Sequence, residues 1–149
     1  MKKHGTFLVP TLTVHMRGLE NAEGPPEVTA RSRINRPRNL ELTARAMKLG
    51  VKIVTGSDVR YDDQFRVQDE VVELVRVGLS PIEAIRAATS RAAECLMIDT
   101  RTGSINAGLE ADLIVVERDP TLDIETLRDV LLVVNNGKIA VNRLNPERL

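Results

Sequence analysis

The hydrophobic pattern divides this 149-residue chain into an α/β part followed by a β-rich part. Residues 6–14 form a mainly apolar run that predicts a strand, and Pro10 should end its regular pairing because proline has no amide hydrogen to donate. Between residues 39 and 49 the apolar positions recur at helical spacing, and Gly50 supplies a helix stop signal. The run from Val51 to Thr55 then predicts a second strand.

The segments outside these predicted elements alternate between irregular and helical patterns. Residues 17–38 contain two glycines and three prolines, and their weak periodicity predicts a long irregular connection. Helical spacing returns at residues 67–77, which end at Gly78, and again at residues 80–96, where Pro81 suits a first helical position. Strands that alternate with helices in this way are typical of a parallel sheet.

Beyond Ile98 the pattern changes to short apolar runs joined by turn residues. Residues 103–116 predict short strands, and residues 124–127 predict a brief helix. The clearest feature is a pair of apolar runs at 130–134 and 138–141 flanking Asn136-Gly137, which is a strong signal for a β-hairpin. The chain therefore divides into residues 1–100 and residues 101–149.

Composition excludes several classes of function. Aromatic residues make up 2% of the chain and hydrophobic residues 42%, so the core must be aliphatic, which suits α/β architecture. The 21 basic residues are balanced by 21 acidic ones, so no net charge favours nucleic acid or a membrane. The run formed by Arg31, Arg33, Arg36 and Arg38 has no aromatic residues within it, and we interpret it as a solvated loop or one side of a contact.

Two further features concern the compartment. The single cysteine, Cys95, cannot form an intramolecular disulfide and lies in a helical apolar pattern, so we expect a small core residue in a cytoplasmic protein. No apolar run approaches the roughly 20 residues that a membrane span requires.

Asp58 is the strongest candidate for a functional residue. It follows the predicted strand at 51–55 and the pair Gly56-Ser57, where glycine permits a sharp turn. In α/β folds the residues just beyond the carboxyl end of a strand face the ligand site. The alternative is that Asp58 only caps a helix or closes a turn. Of the two histidines, His4 is expected to be exposed, whereas His15 follows the first predicted strand on the same side as Asp58.

Several segments, taken together and in this order, resemble the C-terminal part of the metal-dependent amidohydrolases. They are residues 50–58, residues 78–89 with the sequence GLSPIEAIRAAT, residues 103–105, residues 108–116 and the hairpin at 130–141. The similarity is greatest to the imidazolonepropionase-like and prolidase-like branch, in which Val9-Pro10-Thr11-Leu12 also has a counterpart.

The resemblance implies the C-terminal fragment of a (β/α)₈ TIM barrel at residues 1–100, followed by strands of a small β-sandwich domain at residues 101–149. It implies one or two divalent metal ions, which we expect to be zinc, at the carboxyl end of the complete barrel. Asp58 matches the aspartate that binds metal and accepts the proton of the attacking water. His15, Arg60 and Tyr61 are then expected to contact a small-molecule substrate.

The same resemblance also shows what this chain lacks. The family's His-x-His pair, its bridging lysine or carboxylate and its two further histidines have no match here, and a whole barrel needs about 250 residues. We therefore expect hydrolysis of C–N bonds, of amide, cyclic amide or Xaa-Pro type, by the complete enzyme. The isolated chain should be inactive and should need the missing N-terminal half of the barrel or homo-oligomerisation. The alternative is a non-catalytic interaction or assembly module.

Overall fold

A computed structural model describes residues 1–20, 25–58 and 66–144 of the chain. These residues form two compact units, Met1–Ser80 and Pro81–Leu149. The sequence predicted a division between a barrel part that ends at residue 100 and an accessory part that begins at residue 101. That division stays a prediction. Within the described ranges, no helix is both long enough and apolar enough to cross a bilayer.

A pair of parallel strands lies at the centre of the first unit. Strand β1 (Phe7–Leu8) pairs with β2 (Lys52–Ile53), with Leu8 opposite Ile53. The Val54 amide extends this ladder by donating to the Leu8 carbonyl oxygen at 3.0 Å. The parallel arrangement expected from strand–helix alternation is therefore present. Strand β1 is shorter than predicted because Pro10 cannot donate to the ladder and Thr11 adopts a left-handed backbone.

Three helices belong to the same unit. They are α1 (Val14–Glu20), α2 (Pro26–Lys48) and α3 (Val67–Val77). Helix α1 packs against α2, and Gly50 lies just beyond the end of α2 with φ 70°. Both stop signals, Gly50 and Gly78, occur where the sequence placed them.

The prediction of an irregular connection over residues 17–38 was wrong, because most of it is helical. Pro26 occupies the first turn of α2, where its missing amide hydrogen costs nothing, and the helix continues past Pro37. The buried residues of α2 are Ser32 and Thr43 rather than large apolar side chains. A buried face with small polar residues gives a weak hydrophobic period, so the pattern revealed only the helix predicted at residues 39–49, which is the C-terminal half of α2.

Helix α3 supplies much of the core of the first unit. The Arg66 amide donates to Asp69 Oδ2 at 2.7 Å and so begins the helix. Among the described residues of this unit, the fully or almost fully buried apolar ones are Leu12, Ile53, Val54, Val71, Val72 and Leu74. They lie at or just beyond the two strands and along α3.

The second unit begins with two short helices, α4 (Pro81–Ala88) and α5 (Ser90–Leu96). The sequence predicted one continuous helix here. Thr89 interrupts it with non-helical dihedral angles of φ −128° and ψ −101°, while its hydroxyl donates to the Ile85 carbonyl oxygen at 2.8 Å. Threonine competes in this way with regular helical hydrogen bonding.

A three-stranded antiparallel sheet completes the second unit, in the order β3 (Leu113–Val116), β4 (Val130–Asn135) and β5 (Lys138–Asn142). The predicted hairpin is present, with Asn136 and Gly137 at φ 49° and 74°. Two consecutive positive φ angles are what a type I′ turn requires. The brief helix is also present as a 3₁₀ helix (Ile124–Arg128). Residues 103–105 form no strand, contrary to the prediction.

Gly56 is required by close packing between the two strand ends. A Cβ atom at this position would lie 2.3 Å from Val9 Cγ1. Gly56 itself has no positive φ angle, whereas Asp58, two residues later, has φ 51°. The glycine therefore gives space to the neighbouring strand rather than a special backbone conformation.

We predict that Gly56→Ala lowers the free energy of unfolding by about 1–3 kcal/mol, the usual effect of overpacking. Urea unfolding followed by circular dichroism measures this change. Val9→Ala removes the clashing methyl groups, so the double variant should be more stable than Gly56→Ala alone. A double variant that is destabilised by the sum of both single effects would contradict the steric explanation.

Candidate active site

Asp58 lies beyond the carboxyl end of β2, with φ 51° and an exposed side chain. Thr11 lies beyond the carboxyl end of the neighbouring β1, with φ 49°. Because the strands are parallel, both residues belong to the same edge of the sheet. A left-handed non-glycine residue costs of order 1–3 kcal/mol, and such residues concentrate at functional sites.

A buried carboxyl group on α3 fixes the chain that follows β1. Glu70 is 0% exposed, and its Oε1 atom accepts from the Leu12 amide at 2.8 Å. Its Oε2 atom accepts from the Thr13 amide at 2.9 Å and lies 3.0 Å from the Thr13 hydroxyl oxygen. One side chain therefore satisfies two consecutive backbone donors just past Thr11.

The Thr13 side chain connects this segment to the end of β2. Its hydroxyl oxygen lies 3.2 Å from the carbonyl oxygen of Ser57, the residue before Asp58. Thr13 is itself 0% exposed. A continuous hydrogen-bonded path therefore runs from α3 through Thr13 to the backbone next to Asp58.

A second buried acid on α3, Glu73, connects that helix to α2, and its partner Arg36 also reaches the segment after β1. Glu73 is 1% exposed and forms ion pairs with Arg36 at 2.7 Å and with Arg76 at 2.6 Å. Arg36 Nη1 also lies 3.4 Å from the Leu12 carbonyl oxygen. The expectation that the arginine run provides one side of a contact is therefore met at Arg36.

Asn39 adds a further contact from α2, because its side-chain amide donates to the Pro10 carbonyl oxygen at 2.8 Å. The segment after β1 is thus held by side chains of two helices. Such support can maintain a strained conformation that the local sequence alone would not favour.

Burial raises the pKa of Glu70, and the negative charge of Glu73 contributes in the same direction. The hydrogen bonds from Leu12 and Thr13 favour the charged form and oppose this rise without cancelling it.

Among the other predicted site residues, His15 is the second residue of α1 and is partly buried. Burial lowers its pKa, and the positive charge of Arg36 lowers it further. Its predicted contact with substrate stays a prediction. Arg60 and Tyr61 lie outside the described residues.

The described residues provide one candidate metal ligand rather than a ligand set. Within residues 1–20, 25–58 and 66–144, no cluster of three His, Cys, Asp or Glu side chains could hold an ion. A catalytic zinc site uses three protein ligands. Asp58 suits one of these positions, whereas Glu70 and Glu73 are already engaged in buried contacts.

Sequence reasoning missed Glu70 and Glu73, although a signal for Glu70 was present. Glu70 follows Val67 by three residues and precedes Leu74 by four, so it lies on the apolar face of α3. An acidic residue on a face otherwise made of valine and leucine predicts a buried carboxyl group with dedicated partners.

Comparison with known proteins assigns the chain to a family. The model of the amidohydrolase family matches residues 1–140. The chain belongs to the amidohydrolase family. This confirms the resemblance seen in the sequence, and the mixed α/β structure matches solved amidohydrolase structures over about 95% of the chain.

Three similar proteins illustrate the match. Ochratoxinase of Aspergillus niger is 32% identical over 149 residues, covering 93% of this chain and 29% of that protein. Its crystal structure has a TM-score of 0.77 at 30% identity and covers 95% of this chain and 33% of that one. A crystal structure of an Xaa-Pro dipeptidase with bound methionine has a TM-score of 0.86 at 30% identity and covers 95% and 36%. An uncharacterised protein of Mycobacterium tuberculosis is 32% identical over 142 residues, covering 93% and 37%.

This amidohydrolase chain spans about a third of the length of the relatives that it matches. The matched third includes both parallel strand ends, Asp58 and the buried contacts of α3.

We predict that stability depends on pH through Glu70. Because its pKa is raised on folding, Glu70 contributes stability at low pH that is lost as the pH rises from the ordinary glutamate pKa through the raised one. The unfolding free energy of the unmodified chain, minus that of Glu70→Gln, should therefore fall across this pH range. Urea titrations at a series of pH values measure it. A difference that instead grows with pH would show that hydrogen bonding outweighs burial.

Proposed function

We propose that this chain supplies part of the active site of a metal-dependent hydrolase that cleaves C–N bonds of amide, cyclic amide or Xaa-Pro type. The observation that carries the proposal is the position of Asp58, an exposed carboxylate at the carboxyl end of a parallel strand. Membership of the amidohydrolase family supports it. The similarity to ochratoxinase and to an Xaa-Pro dipeptidase supports an amide or Xaa-Pro bond as the target.

The chemistry assigned to Asp58 is proton transfer. A carboxylate at this edge can accept a proton from the attacking water and return it to the nitrogen that leaves. A bound divalent metal, which we expect to be zinc, would lower the pKa of a water molecule toward 7. Asp58 would also be one of the ligands that hold this metal.

The remaining ligands are proposed to lie outside these 149 residues. One carboxylate does not complete a zinc site, and the chain covers 36% of the Xaa-Pro dipeptidase structure. In this proposal the first unit belongs to the last part of a (β/α)₈ barrel, and strands β3 to β5 belong to a small β-sandwich beside it. His15, Arg60 and Tyr61 are proposed as substrate contacts from this part of the barrel.

We predict that Asp58→Asn abolishes most hydrolysis in a chimera that joins the preceding part of the Xaa-Pro dipeptidase to this chain. An amide cannot take up the proton, so kcat/KM should fall by about 10²–10⁴-fold. Asparagine is nearly isosteric and tolerates the left-handed backbone, so the fold should be retained. Hydrolysis of an Xaa-Pro dipeptide with added Zn²⁺, and after chelation, measures the effect.

The matched control is Asp99→Asn, which makes the same change at an exposed aspartate in the second unit. Its kcat/KM should equal that of the unmodified chimera. Full activity in Asp58→Asn, or equal losses in both variants, would contradict the role proposed for Asp58.

We predict that the 149-residue chain by itself neither hydrolyses substrate nor stays monomeric. A two-stranded parallel sheet leaves hydrogen-bonding edges open, and such edges promote association. The sheet of the second unit also exposes apolar side chains at Ile114 and Ile139, which are 47% and 59% exposed. Size-exclusion chromatography should give an apparent mass above 16.5 kDa. A monomeric peak with zinc-dependent hydrolysis would contradict this prediction.

The same surfaces support a second candidate function, a non-catalytic assembly module derived from an amidohydrolase. The exposed apolar residues of β3 and β5 favour it, because apolar side chains exposed on one small sheet can serve an interaction with another protein. An active chimera that depends on Asp58 would exclude this alternative.

A further inference from the structure

The two strand ends of the first unit are joined through one buried side chain. Glu70 accepts from the amides of Leu12 and Thr13 at 2.8 and 2.9 Å. The Thr13 hydroxyl oxygen lies 3.0 Å from Glu70 Oε2 and 3.2 Å from the Ser57 carbonyl oxygen. Glu70 therefore reaches the segment after β1 directly and the segment before Asp58 through one intermediate.

We propose that Glu70 is a positioning residue for Asp58 and that the Thr13 hydroxyl transmits its effect. The hydrogen bonds of Glu70 hold Leu12 and Thr13, and the Thr13 hydroxyl then holds Ser57 and with it the left-handed backbone of Asp58. This inference rests on the proposed function, since it concerns catalysis only if Asp58 acts in the reaction.

The backbone conformations explain why such support is needed. Thr11 and Asp58 are the two left-handed non-glycine residues described near the strand ends, at φ 49° and 51°. Threonine is β-branched, which makes its positive φ especially unfavourable. A residue of this kind keeps its conformation only where surrounding contacts determine it. The contacts of Glu70 and Thr13 reach both strand ends, whereas those of Asn39 and Arg36 reach only the segment after β1.

The identity of the side chain also fits a positioning role better than a packing role. A leucine at position 70 would fill a similar volume and would match Val71 and Leu74 in polarity. It would leave the amides of Leu12 and Thr13 without acceptors in a fully buried place, which is costly. A carboxyl group has one oxygen for each of the two amides, which leaves the single proton of the Thr13 hydroxyl available to the Ser57 carbonyl oxygen.

Hydrogen–deuterium exchange of the 149-residue chain tests the proposal without any need for activity. Thr13→Val removes the hydroxyl and keeps the shape of the side chain. We expect exchange at residues 54–58 to become about fivefold faster, the change in open population that the loss of one hydrogen bond typically brings. Thr13→Ser restores the hydroxyl and should restore slow exchange.

The matched control is Thr43→Val, the same change at a threonine that is 1% exposed and donates to Asn39 within α2. It should leave residues 54–58 unaffected. Glu70→Gln should accelerate exchange at both residues 10–16 and residues 54–58. Glu73→Gln removes a carboxylate that is equally buried on the same helix and should not reproduce the effect at residues 54–58.

Three results would overturn the proposal. They are equal acceleration in Thr13→Val and Thr43→Val, an effect of Glu70→Gln confined to residues 10–16, and complete exchange of both segments in the unmodified chain. Failure of the proposed function is distinguishable from these results, because it would appear as an active Asp58→Asn chimera while the exchange pattern remained as expected.

Discussion

The buried carboxyl group of Glu70 is the contact on which the arrangement of the strand ends depends. Placing an ionisable group at a position that is 0% exposed is costly unless its acceptors are used. Two backbone amides and a hydroxyl group lie within hydrogen-bonding distance, so the cost is offset. The pKa of Glu70 is nevertheless raised, which shows that burial still outweighs these bonds. Removing Glu70 would therefore leave the amides of Leu12 and Thr13 without acceptors in a buried place.

Glu73, three residues further along α3, is also a buried acid, but it has different partners. It is paired with Arg36 and Arg76 rather than with backbone amides, and it links α3 to α2. The two acids on α3 therefore have different structural roles. Glu70 holds the segments at the strand ends, while Glu73 holds the helices that surround them.

Membership of the amidohydrolase family supports a hydrolytic role for the arrangement at the strand ends. The family match extends over residues 1–140, yet the chain spans about a third of its relatives' length. Asp58 stands at the edge where parallel α/β folds place their ligands, and the described residues provide no complete metal site around it. In the proposed hydrolase, this chain therefore contributes Asp58 on a strand end held by buried hydrogen bonds, and the remaining metal ligands lie outside these 149 residues.

Local interactions explain what the sequence alone determined about this protein. The stop signals at Gly50 and Gly78, the turn at Asn136-Gly137 and helix α3 each follow from neighbouring residues, and their predictions were confirmed. The family resemblance was also readable from short segments. The C-terminal half of helix α2 was predicted, but its extension back to Pro26 and the two-helix break at Thr89 were not, because the buried residues of α2 are small and polar and because Thr89 acts through its own hydroxyl. The tertiary structure alone decided the packing of Gly56 against Val9, the left-handed backbone at Thr11 and Asp58, and the path from Glu70 through Thr13 to Ser57. The physical reason is sequence distance: Glu70 and Leu12 are 58 positions apart, and no local pattern specifies which amides a buried carboxyl group will meet.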